Sequence, residues 1–335
     1  MSVITRESAM SEKEMVAEAE RALEDISNIR KGVARVIFGQ EQVVERTLVA
    51  ILAGGHALLV GVPGLAKTKL VETLGVVLGL DSSRIQFTPD LMPSDILGSE
   101  VMETDEHGKR SFRFLPGPIF AQLLMADEIN RASPRTQSAL LQSMQEYHVT
   151  VAGHRHDLPQ PFHVLATQNP LEQEGTYPLP EAQLDRFLMQ VDILYPELDA
   201  ERRILLETTG VSESKAEGVL TAERLRAIQH LIRSMPVSEG VVDAILTLVR
   251  SARPGSGNAD TDKNVAWGPG PRASQALTLC ARARALYDGR LAPSIDDVRA
   301  LAEPVLQHRM ALTFAARAEG MNVRDVIARL VKAGA

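Results

Sequence analysis

Five short, mainly apolar runs between residues 57 and 193 constrain the fold of this chain more than any other feature. Apolar residues at helical spacing separate most of the runs, as in the segment Thr136–Met144. Short continuous apolar runs are typical of parallel strands buried on both faces, and their alternation with helices favours a sheet between two helical layers. The predicted strands are Ala57–Val60, Arg84–Phe87, Leu123–Ala126, Val164–Thr167 and Met189–Ile193. We therefore predict a three-layer α/β domain with a parallel sheet.

The segments on either side of this region predict helices. Residues 11–30 have apolar side chains at helical spacing among many charges, which predicts an exposed N-terminal helix. From about Asp199 onward the spacing is again helical, and the glycine- and proline-rich stretch Arg253–Pro271 predicts a long surface loop. The predicted organisation is an N-terminal helix within residues 1–30, an α/β core over 31–198 and a smaller all-α domain over 199–335.

The charge and the cysteine content exclude several classes of protein. The 335 residues include 36 Lys and Arg against 43 Asp and Glu, and this net charge of −7 disfavours a broad nucleic-acid-binding surface. The single cysteine, Cys280, excludes an internal disulfide framework and fits a reducing, cytoplasmic compartment. Residues 47–66 carry no formal charge, but glycines and a proline interrupt them, so no transmembrane segment is predicted.

The strongest local motif directly follows the first predicted strand. Glycines allow a loop to turn its N–H groups toward a phosphate, and the N-terminus of the next helix adds partial positive charge. In this pattern a lysine reaches the β- and γ-phosphates and the next hydroxyl binds Mg²⁺, which assigns these roles to Lys67 and Thr68. Ala66 departs from the strict pattern, which has glycine at that position. The motif is Gly61-Val62-Pro63-Gly64-Leu65-Ala66-Lys67-Thr68.

Polar residues follow two more of the predicted strands. A carboxylate at a strand end can hold Mg²⁺ and its neighbour can polarise an attacking water, so we assign Asp127 to the metal and Glu128 to the general base. Asn169 follows the fourth strand and fits either a contact with the γ-phosphate or the lytic water, or a simple turn. Arg186 precedes the last strand and fits either a functional role or a surface ion pair with Asp185.

The order of these motifs resembles the MoxR family of AAA+ ATPases over nearly all of residues 30–330. The resemblance implies a P-loop AAA+ fold, in which a three-layer parallel-sheet domain is followed by a smaller C-terminal all-α lid domain. The alanine variant of the phosphate loop, present here as Ala66, is usual in that family. The matching segments are Gly39-Gln40, Gly61–Thr68, Phe87–Asp95, Phe114–Pro118, Ala126–Arg131, Ala166–Pro170 and Pro180–Phe187.

The resemblance also implies roles for residues that spacing alone leaves open. Asn169 corresponds to the sensor that positions the lytic water, and Arg186 corresponds to the arginine finger, which acts on ATP bound to the neighbouring subunit. Arg272, within the matching segment Gly270–Ser274, corresponds to a second sensor that contacts the γ-phosphate from the lid. The segment Gly39-Gln40 corresponds to the part of the family fold that borders the adenine.

Two stretches that fit no helix are explained by the same resemblance. Residues 93–117 and 147–162 are expected to form β-hairpins, which in related machines face the pore or the client. His154, His156 and His163 lie in or near the second hairpin. We interpret these histidines as part of a solvated hairpin and not as metal ligands, because no carboxylate or cysteine cluster accompanies them.

These residues predict Mg²⁺-dependent hydrolysis of ATP by a ring of identical subunits, expected to be a hexamer. The resemblance implies that such a ring remodels, matures or activates protein clients together with a von Willebrand factor A domain protein. A dedicated metalloenzyme activase, of the rubisco or nitric-oxide-reductase type, stays open as an alternative. The acidic charge disfavours a nucleic-acid motor, and the presence of Glu128 and Arg186 disfavours a nucleotide switch that does not hydrolyse ATP.

Overall fold

A computed structural model describes residues 12–104, 107, 109–172, 175–209 and 214–334. Residues 1–11 of the predicted N-terminal segment lie outside this part of the chain. The strands are β1 Ala57–Val60, β2 Ser82–Gln86, β3 Gly98–Thr104, β4 Arg110–Pro116, β5 Leu123–Asp127, β6 His148–Val151, β7 His154–Asp157, β8 His163–Gln168, β9 Met189–Asp192, β10 Val265–Trp267 and β11 Ala311–Leu312. The helices are α1 Glu12–Ala34, α2 Glu41–Leu52, α3 Lys67–Val77, α4 Pro93–Leu97, α5 Pro134–Glu146, α6 Glu181–Leu184, α7 Leu198–Thr208, α8 Ala222–Ser234, α9 Glu239–Ser251, α10 Ala259–Asn264, α11 Pro271–Tyr287, α12 Ile295–Leu306, α13 Phe314–Ala318 and α14 Val323–Gly334.

Five strands form one parallel sheet in the order β2–β5–β8–β1–β9, which confirms the predicted sheet. Because the strands all run in the same direction, the loops that follow β1, β5 and β8 leave from one edge, called here the carboxyl edge. The segments that enter the strands lie at the opposite, amino edge. Parallel sheets bind their ligands outside the carboxyl ends of the strands.

Both faces of the sheet are covered by helices. In β5, Leu123 and Met125 join an apolar cluster with residues of α1, α2 and α3, whereas Leu124 and Ala126 join a second cluster with residues of α5. Successive side chains of a strand point to opposite faces, so this division assigns one helical layer to each face. The predicted three-layer arrangement is therefore confirmed.

The C-terminal part is largely helical. Helix α11 packs against α8, α9 and α12, and its residues Leu277 and Cys280 are completely buried. One short antiparallel pair, β10 with β11, accompanies the helices and pairs Val265 with Leu312. Within the described residues, no helix has both the length and the apolar character that a membrane span requires.

Two sequence predictions about the outer segments are wrong. Helix α1 is not simply exposed, because Ala22, Ile26 and Ile29 on one of its faces are buried against the core. The stretch Arg253–Pro271 is not one continuous loop, since it contains α10 and β10. The Asn258 side chain caps α10 by accepting hydrogen bonds from two backbone N–H groups, a local signal that the surrounding glycines and prolines obscure.

Two hairpins leave the sheet region next to each other. The β3–β4 ladder runs from Gly98 opposite Pro116 to Thr104 opposite Arg110, and β6 pairs with β7 from His148 opposite Asp157. The His156 ring stacks on Phe114 of the other hairpin, with 3.8 Å between ring centroids.

His163 does not belong to a solvated hairpin. It is the first residue of the buried strand β8 and is 1% exposed, so its grouping with the hairpin histidines is wrong.

Candidate active site

The phosphate-loop motif connects β1 to α3 at the carboxyl edge. Helix α3 begins at Lys67, and its N-cap residue Ala66 adopts a left-handed conformation with φ of 55°. That conformation explains why the strict pattern has glycine there, since a Cβ makes it costly by about 1–2 kcal/mol. Alanine has no side-chain acceptor to cap the helix, so the first N–H groups of α3 remain donors for a phosphate.

Lys67 lies over this loop. Its Nζ donates hydrogen bonds to the carbonyl oxygens of Gly61, at 2.6 Å, and Val62, at 2.9 Å. Partial burial lowers the pKa of Lys67, while the nearby carboxylates of Asp127 and Glu128 act in the opposite direction. The ammonium group therefore lies within electrostatic reach of both predicted catalytic carboxylates.

Asp127 is the last residue of strand β5, and Glu128 follows it directly. The Asp127 Oδ1 accepts a hydrogen bond from the Thr167 hydroxyl at 2.5 Å, and its Oδ2 accepts one from Arg84 at 2.6 Å. Glu128 has a left-handed backbone with φ of 56°, and its N–H donates to the same Thr167 hydroxyl at 2.9 Å. Left-handed non-glycine residues are costly and cluster at functional sites, where the surrounding structure holds them in place.

Two donors also hold the Glu128 carboxylate. Its Oε2 accepts hydrogen bonds from Gln86 Nε2 at 2.7 Å and from Arg131 Nη1 at 3.0 Å. Sequence reasoning missed these contacts and the bridging role of Thr167. The only local signal was the presence of Arg84 and Gln86 in a predicted strand, where charged and polar residues are uncommon.

Asn169 follows β8, which lies between β5 and β1 in the sheet. It is 5% exposed, and its Oδ1 accepts a hydrogen bond from the Leu171 N–H at 3.1 Å. Asn169 therefore stabilises a turn, which is one of the two roles that the sequence left open. Its position at the end of the middle strand also brings it to the edge that carries Lys67 and Asp127.

A cavity of about 220 Å³ lies beside the loop, next to Gly39 and Gln40, and it is lined partly by Ile37, Phe38 and Ala66. Gly39 has φ of 67°, and a Cβ there would lie 2.2 Å from the Cβ of Ala200, so this close approach requires glycine. Gln40 donates from Nε2 to the Leu65 carbonyl, while its buried Oε1 has no hydrogen-bond partner among the described residues. A small, mainly apolar cavity with one unused acceptor fits a purine base with an exocyclic amine.

The predicted metal ligands also have suitable chemistry. Mg²⁺ prefers oxygen ligands and is commonly held by one or two protein oxygens together with phosphates and water. Thr68 is the second residue of α3, and Asp127 is the last residue of β5, within electrostatic reach of Lys67. These two residues therefore fit a magnesium–nucleotide complex.

Arg186 and Arg272 lie elsewhere, at the amino edge. Both line a cavity of about 270 Å³ together with Gly54 and Gly55, which precede β1. A strand rises about 3.3 Å per residue, so the step from Gly55 to Gly61 along β1 corresponds to roughly 20 Å. Arg272, the second residue of α11, therefore lies at the edge opposite the phosphate loop of its own chain, and its contact with a γ-phosphate stays a prediction.

Arg309 fixes the segment that carries Arg186. It is 2% exposed and donates to Asp185 Oδ1 at 2.7 Å and to the Phe187 carbonyl at 2.7 Å. The surface ion pair considered between Asp185 and Arg186 does not form, because Asp185 pairs with Arg309 and, at 3.8 Å, with Arg272. Arg186 donates instead to the Leu141 carbonyl at 2.5 Å.

Comparison with known proteins identifies the family of this chain. The family described as "ATPase family associated with various cellular activities (AAA)" matches residues 56–189, and the family described as "AAA lid domain" matches residues 258–330. The chain is 44% identical to Chaperone MoxR1 of Mycobacterium tuberculosis over 90% of its length and 79% of that protein. It is 31% identical to Protein MoxR of Methylorubrum extorquens, over 85% of this chain and 87% of that one.

A solved structure gives the same result at the level of the fold. A crystal structure of a protein from Cytophaga hutchinsonii superposes with a TM-score of 0.89 at 36% sequence identity, and covers 97% of this chain and 98% of that one. The parallel sheet, the phosphate loop and the helical lid define an AAA+ ATPase. Within that class, the chain belongs to the MoxR family.

Proposed function

We propose that this protein hydrolyses ATP to ADP and phosphate. The main support for the proposal is that Lys67, Asp127 and Glu128 lie close together at the carboxyl edge. The Thr167 hydroxyl is hydrogen-bonded to both acidic residues. A lysine on a phosphate loop and an adjacent carboxylate pair provide both phosphate binding and a base for water.

Each residue has a role in this proposal. The loop Gly61–Thr68 cradles the phosphates, and Gly39 and Gln40 border the adenine. Thr68 and Asp127 hold Mg²⁺, which when bound would neutralise charge on the phosphates. Glu128 accepts the proton of the attacking water, and Asn169 orients that water.

The position of Arg186 and Arg272 supports a ring of subunits. An arginine that stabilises the transferring phosphate must lie within contact distance of it, but these two line a cavity at the opposite end of β1, and that strand with its flanking residues spans roughly 20 Å. We therefore propose that the amino edge of one subunit contacts the carboxyl edge of the next subunit. The ring is expected to be a hexamer. Head-to-tail contacts of this kind form a ring when the rotation between neighbouring subunits closes.

We further propose that the ring remodels or activates protein clients, with a von Willebrand factor A domain protein as partner. The name Chaperone MoxR1 of the Mycobacterium tuberculosis relative supports the first part. The hairpin β3–β4 presents Phe112, 71% exposed, and Met102, 55% exposed, and such exposed apolar side chains suit contact with other proteins. Dedication to a single metalloenzyme is the alternative.

A cytoplasmic location fits the single, buried and unpaired Cys280.

The Glu128→Gln variant tests the catalytic assignment. We expect it to bind ATP as the wild type does but to lose at least about 100-fold in turnover, because the amide cannot accept the proton of water. Nucleotide binding and phosphate release would be measured on the same preparations. Glu72→Gln, an exposed change on α3, is the control and should keep full turnover. Wild-type turnover in Glu128→Gln would contradict the assignment.

A further inference from the structure

Besides Arg186, Arg272 and the buried Arg309, a further arginine lines the cavity at the amino edge. Arg233 lies in the last turn of α8 and lines the same space of about 270 Å³. Its guanidinium lies over the turn before β1, since a Cβ built on Gly54 would be 3.5 Å from its Nη2. No sequence motif had singled out this residue.

The charges around this cavity do not balance. Four arginines line it, and Asp185 is the only acidic residue among its lining residues in the described part of the chain. Asp185 is already paired with the buried Arg309. Within the same part of the chain, the Arg233 side chain has no ion pair or hydrogen bond, and Arg186 donates only to a backbone carbonyl. An uncompensated positive cluster is notable in a chain with a net charge of −7.

Such a cluster selects a small, multiply charged anion. Guanidinium groups bind phosphate oxygens through short, charge-assisted hydrogen bonds, and several of them converging on one small cavity favour a multivalent ligand. The nucleotide of the same chain lies at the other edge of the sheet, roughly 20 Å away along β1. A triphosphate held by a second copy of the chain has the required charge and can approach this edge from outside.

We propose that Arg233 contacts the γ-phosphate of the ATP bound to the neighbouring subunit, as a third guanidinium beside Arg186 and Arg272. This inference rests on the proposed ATPase function and its shared site. Arg233 is then a catalytic residue supplied by the lid. Hydrolysis in one subunit therefore depends on the position of α8 in its neighbour.

The first test separates turnover from nucleotide binding. Arg233→Ala should lower turnover at least tenfold at saturating ATP while the chain's own phosphate loop keeps its affinity for nucleotide. Arg233→Lys, which keeps a positive charge, should retain more turnover than the alanine variant. Arg226→Ala, on the same helix but outside the cavity, is the matched control and should behave as wild type. Unchanged turnover in Arg233→Ala would overturn the inference.

The second test asks whether the arginine acts across the interface. In a ring assembled from equal amounts of Arg233→Ala and Glu128→Gln subunits, roughly a quarter of the interfaces combine an intact phosphate-loop edge with an intact arginine edge. The mixture should therefore exceed the sum of its separate components in turnover. A loss in Arg233→Ala that mixing does not restore would overturn the inference.

The same assay with Arg186→Ala in place of Arg233→Ala distinguishes the two proposals. If the Arg186→Ala mixture gains turnover and the Arg233→Ala mixture does not, the shared site stands and the role of Arg233 is wrong. If neither mixture gains turnover, the shared site itself is wrong and the inference falls with it.

Discussion

The Thr167 hydroxyl connects both acidic residues of the candidate active site. It donates to Asp127 Oδ1 and accepts from the Glu128 N–H, so one buried oxygen fixes a side chain and a strained backbone. Because Glu128 has positive φ, its carboxylate direction depends on this support and on the donors Gln86 and Arg131. The position of the proposed base is thus set by residues that take no part in the chemistry.

Replacing Thr167 with valine tests this dependence. The change keeps the shape but leaves a buried carboxylate oxygen and a backbone N–H without a partner, which should cost about 1–3 kcal/mol of unfolding free energy. Turnover should fall about tenfold or more as Glu128 loses its fixed direction. Thr167→Ser keeps the hydroxyl and should restore both properties. Urea unfolding and ATPase assays would check this, and wild-type turnover in Thr167→Val would contradict it.

At the scale of elements, buried histidines join the sheet to its covering helices. His56 accepts at Nδ1 from the Val164 N–H, and its Nε2 lies 3.1 Å from the Met144 carbonyl of α5. His163 Nδ1 lies 2.8 Å from the Gly55 carbonyl, and its Nε2 lies 3.0 Å from Gln229 Nε2 of α8. Each ring therefore has one donor and one acceptor position in use, as a neutral imidazole requires.

This arrangement predicts a loss of stability in mild acid. Burial lowers the pKa of His56 to about 3 and that of His163 to about 4. A folded-state pKa below the unfolded value of about 6.5 gives stability that is complete above pH 6.5 and is lost as the pH falls toward 4. The unfolding free energy should fall by about 2 kcal/mol per histidine between pH 7 and pH 5.

The variant His163→Asn isolates one of the two groups. Its amide can still donate to the Gly55 carbonyl but does not titrate, so its unfolding free energy should depend less steeply on pH than that of the wild type. Chemical unfolding at pH 7, 6 and 5 measures the difference. Equal pH dependence in the two proteins would show that His163 is not the buried neutral group described here.

The contact between α3 and the start of the lid segment depends on one glycine. Gly79 follows the end of α3 with φ of 63°, and a Cβ there would lie 2.1 Å from the Leu220 carbonyl oxygen. The same lid segment is held to α3 by the Val219 and Leu220 N–H groups, which both donate to the Val77 carbonyl. The junction between the two parts is thus packed through backbone atoms.

We expect Gly79→Ala to lower the unfolding free energy by more than 2 kcal/mol, on the order of the larger backbone effects known for glycine sites. Gly289, which follows α11 with φ of 85° and has no atom within 4 Å of a built Cβ, provides the matched control. Gly289→Ala carries only the left-handed penalty of about 1–2 kcal/mol. Equal losses measured by urea unfolding would contradict the packing described at Gly79.

Local patterns predicted most elements, and long-range packing decided the rest. The apolar runs predicted the five sheet strands within one or two residues, because buried parallel strands are apolar on both faces. The burial of α1 was missed because charges cover its other face. The contact of Arg309 with Asp185 joins residues 124 positions apart, and no local pattern predicts it. The same holds for the contacts of Thr167, which follow from the sheet order, and for the proposed role of Arg233, which follows from the packing of α8 beside Gly54.

At the scale of the whole molecule, the two edges of the sheet carry complementary halves of a proposed site. The carboxyl edge has the phosphate loop and the acidic pair, and the amino edge has the arginine cavity. One chain cannot join them, since β1 separates them by roughly 20 Å. A chain of the MoxR family built in this way requires a neighbour for hydrolysis in our account, so assembly and turnover should be inseparable.

The most direct test mixes two subunits that are each inactive for a different reason. Arg186→Ala lacks an arginine at the amino edge, and Glu128→Gln lacks the base at the carboxyl edge. We predict that each alone binds ATP with little turnover, and that an equimolar mixture recovers up to roughly a quarter of wild-type turnover through composite interfaces. A mixture no more active than its separate components would contradict the shared site.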